Sequence, residues 1–451
     1  MTRRQWVLLF CLFLLSLPAV TPRIYSSDEI QYFAYLRSVW FDRDLSFENE
    51  YRYFYDRGIA RSQGFHETFL ERETEAGRRV NFGTIGCAIL WAPFYAAGGL
   101  VARATDAPQD GFSKPYIGAV AYGSAVYGLV AIVLAMLSAE RLGLPSFAAA
   151  LAVWIGTPLL FYMYVAPPFS HACSAFAVAL FVWTWLKVRA SWSGRGVLAL
   201  GVAGGLMAMV REQDLFFLAG PAVDFVVSAV KARWHVSNSR QWLAVASCGV
   251  IGFVLAFMPQ AIAYLRLNGH VGPSRLVTRK MSWHAPHGLQ VLFSPEHGYF
   301  VWTPLALVAI SGLVWMAVVK TNGETRIARC MLLMVALQVY VGGSVESWTV
   351  AGAFGQRRFI ALTVFLVIGL ATVLRLPARR VVTVVVALAV YWNLALIAEF
   401  ATGLMDRQRL EPAKNAYDAF VTLPRQAPPL AYRYLFDRGS FYRSPRSEAG
   451  S

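Results

Sequence analysis

The chain has 451 residues, of which 57% are hydrophobic and 14% aromatic, and it carries a formal net charge of +15. This composition is too apolar for a soluble protein. The positive charge is not accompanied by a recognition motif for DNA or RNA. We therefore expect no nucleic-acid partner and assign the charge to loop anchors and to a site for an anionic substrate. The five cysteines lie in or beside apolar runs, without the spacing of a zinc site or a disulfide framework.

Apolar runs recur along most of the chain at roughly the length needed to cross the hydrocarbon core of a bilayer. They predict an all-α, polytopic helical membrane protein of about 11–13 helices. This domain occupies residues 1–402, and a short polar tail, 403–451, follows it. The runs cover residues 6–20, 83–102, 116–139, 147–165, 169–186, 197–210, 215–230, 242–265, 299–319, 327–341, 359–374 and 381–400.

Charge asymmetry between the loops predicts the orientation of the chain. The first run follows Arg3 and Arg4 and lacks a convincing cleavage site, so we expect an uncleaved signal anchor with a cytoplasmic N-terminus. Residues 23–80 then form a long external loop. It holds nine arginines and no lysine against eleven acids, a net charge of −2, whereas the rest of the chain carries +17. Basic clusters mark the cytoplasmic loops, at 187–195, 231–240, 320–329 and 375–380.

These assignments conflict between residues 80 and 168, where three apolar runs separate two segments that are both placed outside. One run must therefore return without crossing. We assign the return to the run 83–102, which contains Pro93, because a helix that dips in and returns is tolerated where protein buries it.

Two adjacent carboxylates, Asp28 and Glu29, follow the first run at the expected membrane boundary, where a charge is costly unless it has a function. Residues 28–41 mix polar, aliphatic and aromatic residues at near-helical spacing, which predicts a helix lying on the interface with both acids in its first turn. The helix dipole favours carboxylates there. A structural alternative is equally open, because Ser26-Ser-Asp-Glu is a good helix start without any catalysis.

The other predicted external segments carry basic and aromatic residues. Transfer from a phosphate-linked donor requires a carboxylate that deprotonates the acceptor hydroxyl. It also requires arginines on the opposite side that hold the phosphate. The structural alternatives are that Arg357 and Arg358 only anchor a helix at the interface and that Arg211 only forms an ion pair with Glu212. The candidate binding residues are Tyr32, His171, Arg211, Arg279, Lys280, Trp348, Arg357 and Arg358.

Four of the seven histidines lie in the predicted external segment 267–298. The pair His284-x-x-His287 without a nearby acid is a weak metal signature, so an interface or structural role explains these histidines better. We expect no metal site and no required cofactor, although a divalent metal is compatible with the chemistry.

Four segments, in order, resemble the GT-C superfamily of membrane glycosyltransferases over roughly residues 1–400. Residues 25–32 (YSSDEIQY) resemble the acidic motif of that superfamily's first external loop. Residues 81–95 (NFGTIGCAILWAPFY) are similar to the segment that follows the loop. Residues 293–304 (FSPEHGYFVWTP) and 348–358 (WTVAGAFGQRR) resemble later segments common in bacterial members, which include protein O-mannosyltransferases and aminoarabinose transferases.

The resemblance implies a GT-C-like helical fold. It also implies that a sugar is transferred, with inversion, from a polyprenyl-phosphate-linked donor in the lipid bilayer to a lipid, polysaccharide or protein acceptor. Asp28 would be the general base, with Glu29 supporting it, and Arg357 or Arg358 would hold the donor phosphate. The resemblance also implies a multi-pass protein of the bacterial inner membrane whose site faces the periplasm.

The chain departs from the family pattern at Ser27, where glycine is usual, and at His171, where many members have an acid; a second carboxylate or a metal there is thus in doubt. The competing hypothesis is a transporter or flippase for a lipid-linked anionic substrate, which predicts charges in the middle of helices. The ionisable residues gather on one side instead, which favours the transferase. A ligase or polymerase acting on a lipid-linked glycan, and a structural membrane subunit, stay open.

Overall fold

The computed structural model describes residues 2–233, 239–319, 323–377 and 379–442. It is 74% helical, and no strand occurs within these ranges, where extended pairing is limited to the isolated bridges Glu73–Arg79 and Met281–Val345. The expected all-α fold is confirmed. Lys320, within one predicted basic cluster, residues 234–238 of another, and the last part of the predicted tail, 443–451, lie outside the described residues.

Seven helices in the described ranges are long and apolar enough to cross a bilayer, which makes the chain a multi-pass membrane protein. Two shorter apolar helices, Gly194–Val210 and Pro304–Val319, pack among them. The seven spans are Gly86–Ala104, Lys114–Arg141, His171–Val188, Glu212–Lys231, Arg240–Asn268, Gly323–Ser344 and Arg380–Thr402.

Other predicted runs form shorter or interrupted helices. The run 147–165 is divided before Pro158 and the run 299–319 before Pro304, because proline lacks a backbone N–H and clashes with the preceding turn. The helical segments in chain order are Arg3–Ser16, Leu17–Ala19, Ser27–Arg37, Ser38–Asp42, Glu48–Asp56, Gln63–Phe65, His66–Glu71, Gly86–Ala104, Lys114–Arg141, Phe147–Ile155, Leu159–Tyr164, His171–Val188, Gly194–Val210, Glu212–Leu218, Ala219–Arg233, Ser239–Asn268, Arg275–Thr278, Gly288–Phe293, Tyr299–Trp302, Pro304–Val319, Gly323–Ser344, Arg357–Leu362, Thr363–Val373, Arg379–Thr402, Pro412–Tyr417, Asp418–Thr422, Leu423–Phe436 and Arg438–Tyr442.

Hydrogen bonds between helix termini distinguish the two ends of the bundle. At one end, Thr84 Oγ1 donates to the carbonyl oxygen of Val210 over 2.8 Å. We call this the loop end, because the long loop 23–80 lies there. At the opposite end, Arg141 Nε donates to the carbonyl oxygen of Leu186, also over 2.8 Å.

The segments before and after the helix Gly86–Ala104 both contact the long loop 23–80. The helix begins two residues after Thr84, and shortly after it ends, the Asp110 carbonyl oxygen accepts a hydrogen bond from Arg37 Nε in the long loop, over 3.4 Å. Phe112 stacks on Tyr53 of the same loop, with ring centroids 3.8 Å apart. The helix is also long and apolar enough to span a bilayer, so the return of this run stays a prediction.

The predicted helix after the first run is present as Ser27–Arg37, but its apolar side does not lie on an interface. Phe33 is fully buried and meets Phe54 edge to face, with ring centroids 6.0 Å apart. The aromatic residues of the loop thus form a core of their own over this helix. Within residues 28–41, the exposed hydrophobic residues are Val39 and Trp40, past the end of the helix.

The predicted polar tail contains helices that fold back along the bundle. Asn415 Nδ2 donates to Glu399 Oε2, and Tyr391 Oη donates to the carbonyl oxygen of Ala419, both over 2.5 Å. Since residue 415 lies beside residue 399 and residue 419 beside residue 391, this part of the tail runs antiparallel to the helix Arg379–Thr402.

The helix Leu423–Phe436 then returns to the loop end, where Arg438 Nη1 donates to the carbonyl oxygen of Pro18 over 2.5 Å. We call residues 412–442 the C-terminal hairpin. Apolar contacts hold it in place, since Leu423 is buried and Leu430 packs in the same cluster.

A buried ion cluster joins the helices at the opposite end. Asp224 is fully buried, and its Oδ2 accepts hydrogen bonds from Arg189 Nε over 2.8 Å and from Trp185 Nε1 over 2.9 Å. Its Oδ1 lies 2.6 Å from Arg326 Nε. One carboxylate therefore holds together three separate helical segments through charge-assisted hydrogen bonds.

Replacing Asp224 by asparagine should lower the free energy of unfolding by about 3 kcal/mol, because two arginines lose their counter-charge. We expect the low end of the usual effect, since the arginine side chains are 17% and 29% exposed. The measurement is the apparent unfolding temperature in detergent, followed by tryptophan fluorescence. The exposed Arg195→Gln change at the same end is the control, and equal temperatures for both variants would contradict the prediction.

Candidate functional site

A cavity of about 340 Å³ lies at the loop end, and we call it the site cavity. Segments far apart in the sequence form its wall, so it assembles only in the complete bundle. They include the first turns of the helix Ser27–Arg37, the turn that precedes the helix His171–Val188, and residues from the stretch 347–358. The lining residues are Asp28, Gln31, Tyr32, Phe82, Gly83, Phe169, Ser170, His171, Arg211, Leu276, Val277, Lys280, Ser347, Arg357 and Arg358.

The two adjacent acids have opposite environments. Glu29 is fully buried and closes a capping box: its Oε2 accepts the backbone N–H groups of Tyr25 and Ser26, each over 2.9 Å, while its own N–H donates to Ser26 Oγ over 3.4 Å. The side chain of Asp28 is 39% exposed and lines the site cavity. Successive residues on a helix lie about 100° apart, so burying one acid turns the other toward the cavity.

Burial also changes the proton affinity of the capping acid. Loss of solvent raises the pKa of Glu29 to about 8, although the N–H groups of Tyr25 and Ser26 oppose this change. Its second oxygen, Oε1, is buried without a hydrogen-bond partner in the described part of the chain. The structural alternative considered for the acid pair thus applies to Glu29, and Asp28 is the acid available to a ligand.

Arg357 forms an ion pair with Asp28. Its Nη1 lies 2.7 Å from Asp28 Oδ2, and its guanidinium carbon lies 5.3 Å from the centroid of the Phe169 ring. Burial alone would lower the pKa of Arg357, but Asp28 together with Tyr162 and Tyr32 offsets it, and the pKa is raised. This arginine is therefore a fixed positive charge between an acid and an aromatic face.

Arg358 is held in place through both its backbone and its side chain. Its carbonyl oxygen accepts hydrogen bonds from Gln338 Nε2 over 2.7 Å and from Gln213 Nε2 over 3.0 Å. Its guanidinium donates to the carbonyl oxygen and the hydroxyl of Ser347, over 2.8 Å and 3.1 Å. Burial, followed by the charges of two neighbouring arginines, lowers the pKa of Arg358 to about 9. It stays charged at neutral pH, and an anion bound between these arginines would relieve their repulsion.

His171 and Arg211 form a second pair in the wall, through His171 Nδ1 and Arg211 Nη1. A guanidinium can only donate hydrogen bonds, so Nδ1 accepts and the ring carries its proton on Nε2. Nε2 is buried and has no hydrogen-bond partner among the residues that the structure describes. The ring stacks on Phe169, with centroids 5.5 Å apart, and one N–H group is left for a ligand.

The segment 81–83 is fixed to the helix that carries Asp28. Asn81 Nδ2 donates to the carbonyl oxygen of Gln31 over 3.0 Å, and the backbone N–H of Phe82 donates to Gln31 Oε1 over 2.7 Å. Shortly after, Gly86 approaches Met209 so closely that a Cβ atom would clash with the Met209 carbonyl group. Small residues allow such contacts between membrane helices, and this one brings the segment beside the cationic wall.

The structure brings most of the predicted site residues together. Glu29 lies behind the wall as a helix cap, and two further candidates do not line the site cavity. Arg279 is exposed, and the Trp348 ring stacks on His287, with centroids 5.3 Å apart. The predicted residues that line the cavity are Asp28, Tyr32, His171, Arg211, Lys280, Arg357 and Arg358.

Sequence reasoning did not single out Gln31, Leu276 or Ser347, which also line the cavity. Gln31 carried a usable signal, because it follows Asp28 by three residues and so shares its helix face. Leu276 and Ser347 carried none, since only the fold brings their segments to the other wall residues.

The site cavity has an excess of positive charge. Arg211, Lys280, Arg357 and Arg358 face the carboxylate of Asp28, an arrangement that favours an anionic ligand. In the described ranges, no three metal-ligating side chains come together. No protein-family model matches the chain, and no curated protein matches it.

Replacing Glu29 by glutamine should remove part of the pH dependence of stability. In the folded protein Glu29 keeps its proton up to about pH 8, whereas an unfolded chain releases it near its ordinary pKa of about 4.3. The parent therefore loses stability as the pH rises between these values, by up to about 1.4 kcal/mol per pH unit from this group. Glutamine cannot release a proton, so the variant should show a smaller loss.

The measurement is the apparent unfolding temperature of both proteins from pH 5 to pH 8. Glu296→Gln, which changes an exposed acid, is the control and should follow the parent. Parallel curves for the parent and Glu29→Gln would contradict the assignment of a buried, protonated cap.

Proposed function

We propose that this protein is a membrane glycosyltransferase of the GT-C type, which transfers a sugar from a polyprenyl-phosphate-linked donor to an acceptor at the loop end. The observation that carries the proposal is the single lining carboxylate, Asp28, facing four cationic side chains at one end of an apolar bundle. A carboxylate accepts the proton of an attacking hydroxyl, and arginine forks bind phosphate oxygens. The bilayer that surrounds the bundle would deliver a lipid-linked donor.

In the proposed reaction, the acceptor hydroxyl oxygen attacks the anomeric carbon of the donor sugar. The new carbon–oxygen bond forms as the bond between this carbon and the phosphate oxygen breaks, and attack from the opposite face inverts the configuration. The hydroxyl proton passes to Asp28, and the bonding electron pair leaves with polyprenyl phosphate. Arg357, Arg358 and Lys280 stabilise the charge on this leaving group.

The ion pair between Asp28 and Arg357 suits this mechanism. Without a ligand, Arg357 occupies an oxygen of Asp28 that an acceptor hydroxyl would need. A donor phosphate competes for the same guanidinium, so its binding releases the carboxylate for the acceptor. His171 Nε2–H adds a neutral donor for a phosphate or sugar oxygen.

We further propose that the loop end faces the periplasm of a bacterial inner membrane. The long loop has more acids than arginines, whereas Arg141, Arg189 and Arg326 make their contacts at the opposite end. An excess of basic residues is typical of the cytoplasmic side of a membrane protein, which supports this orientation.

Replacing Asp28 by asparagine should reduce turnover by about 10²–10⁴-fold, the usual contribution of a general base. The assay measures release of polyprenyl phosphate from a panel of synthetic polyprenyl-phosphate sugars, with a crude membrane fraction as acceptor. The exposed Asp56→Asn change in the same loop is the matched control and should leave turnover unchanged.

Full activity in Asp28→Asn would remove this residue from the reaction. Absence of release by the parent with every sugar, together with saturable binding of the lipid, would instead favour a transporter, a flippase or a ligase acting on a lipid-linked glycan.

Replacing Arg357 by glutamine should raise the KM for the donor by about 10–100-fold, because a charge-assisted hydrogen bond to phosphate is lost. Arg357→Lys should restore part of the affinity, since lysine keeps the charge but not the fork geometry. Initial rates against donor concentration provide the measurement. An unchanged KM in Arg357→Gln would exclude contact between this residue and the donor phosphate.

A further inference from the structure

A second cavity, of about 450 Å³, lies between the helix Arg3–Ser16, the helix Arg379–Thr402 and the C-terminal hairpin. We call it the tail pocket. Its wall is formed mainly by aliphatic and aromatic side chains, among them Leu394 and Ala401 on the helix and Leu430 on the hairpin. The one charged residue in the lining is Arg438.

The surroundings of the tail pocket limit what can occupy it. It borders the membrane-length helix Arg380–Thr402, so the bilayer is the medium on that side. An apolar cavity next to a bilayer gains no hydrogen bonds from a polar solute, whereas a hydrocarbon chain can enter it without desolvation. The occupant that fits is therefore the chain of a membrane lipid.

The tail pocket leads toward the first turn of the helix Ser27–Arg37. Val165 lines the pocket, and its carbonyl oxygen accepts a hydrogen bond from Tyr25 Oη over 3.2 Å. Tyr25 in turn donates its backbone N–H to Glu29, the cap of that helix, over 2.9 Å.

A third cavity, of about 480 Å³, continues from Tyr25 along the long loop, and we call it the head groove. Ser27, the residue before Asp28, lines it together with hydroxyl and aromatic side chains that include Ser62, Thr68 and Phe69. Hydroxyl groups beside aromatic faces suit the mixed polar and apolar surfaces of a carbohydrate head group. The head groove therefore flanks the Asp28 helix start, and its lining residues differ from those of the site cavity.

We propose that the acceptor is a glycolipid-like amphiphile, whose hydrocarbon chain lies in the tail pocket and whose hydroxylated head lies in the head groove, next to Asp28. This inference rests on the proposed transferase function and names its acceptor class. The donor belongs in the site cavity, because four cations that suit its phosphate line it, whereas the tail pocket and the head groove have one arginine each, Arg438 and Arg61.

The first test measures binding without turnover. The probe is dodecyl β-glucoside with a diazirine in its alkyl chain, added to the full-length protein in nanodiscs and located by peptide mass spectrometry. We expect labels on peptides from 379–402 and 423–441. Ala401→Trp, which fills the tail pocket, should lower this labelling at least fivefold, and Val254→Trp on the exposed face of the helix Ser239–Asn268 should not. Leu430→Trp provides the same block from the hairpin if the first variant fails to fold.

The second test measures transfer to alkyl glucosides with 4, 8 and 12 carbons. In the parent, kcat/KM should rise at least tenfold from the shortest chain to the longest, and in Ala401→Trp it should stay level. Equal labelling of the parent and Ala401→Trp, or equal use of butyl and dodecyl glucosides by the parent, would contradict the proposed lipid acceptor but not the transferase function. Specific labelling without transfer to any acceptor would overturn the proposed transferase function.

Discussion

Two hydrogen bonds, from the backbone N–H groups of Tyr25 and Ser26 to the buried carboxyl group of Glu29, fix the rotation of the helix that begins there. Once Glu29 points inward, helical geometry decides the position of each following side chain. Asp28 turns into the site cavity, and Gln31 reaches the segment 81–83. A cap of this kind contributes only about 1 kcal/mol to stability, yet the direction of the proposed base depends on it.

Each end of the bundle places one carboxylate among several cations, but the two carboxylates are bound to different extents. At the opposite end, Asp224 is shared by Arg189 and Arg326, all its oxygens are used, and the cluster is closed. At the loop end, Asp28 faces four cations and satisfies only one of them directly. A surplus of positive charge beside a bilayer is costly. The Asp224 cluster therefore suits a structural role, whereas the cations at the loop end suit an anionic ligand.

Much of the fold follows from local sequence features. Apolar runs identify most of the long helices, and Ser26-x-x-Glu29 identifies a helix start. The choice between Asp28 and Glu29 did not follow, because both suit a first turn and only tertiary packing decides which is buried. Arg279 and Lys280 are neighbours in an irregular segment without periodicity, so the sequence could not tell which side chain would line the cavity.

The helices of the C-terminal hairpin were not predicted, because this segment contains prolines and charged residues that are typical of a polar tail. Its helix Leu423–Phe436 contains Pro428 and Pro429. A few apolar contacts with the helix Arg379–Thr402 hold it in place. Arg438 then contacts Pro18, 420 residues earlier in the chain. At a synthesis rate of about 5–20 residues per second, roughly 20–80 s separate the emergence of these two partners from the ribosome. During that interval the first helix stands in the bilayer without its final neighbour, so a translocon or chaperone has time to hold it, and the tail pocket is among the last parts of the molecule to form.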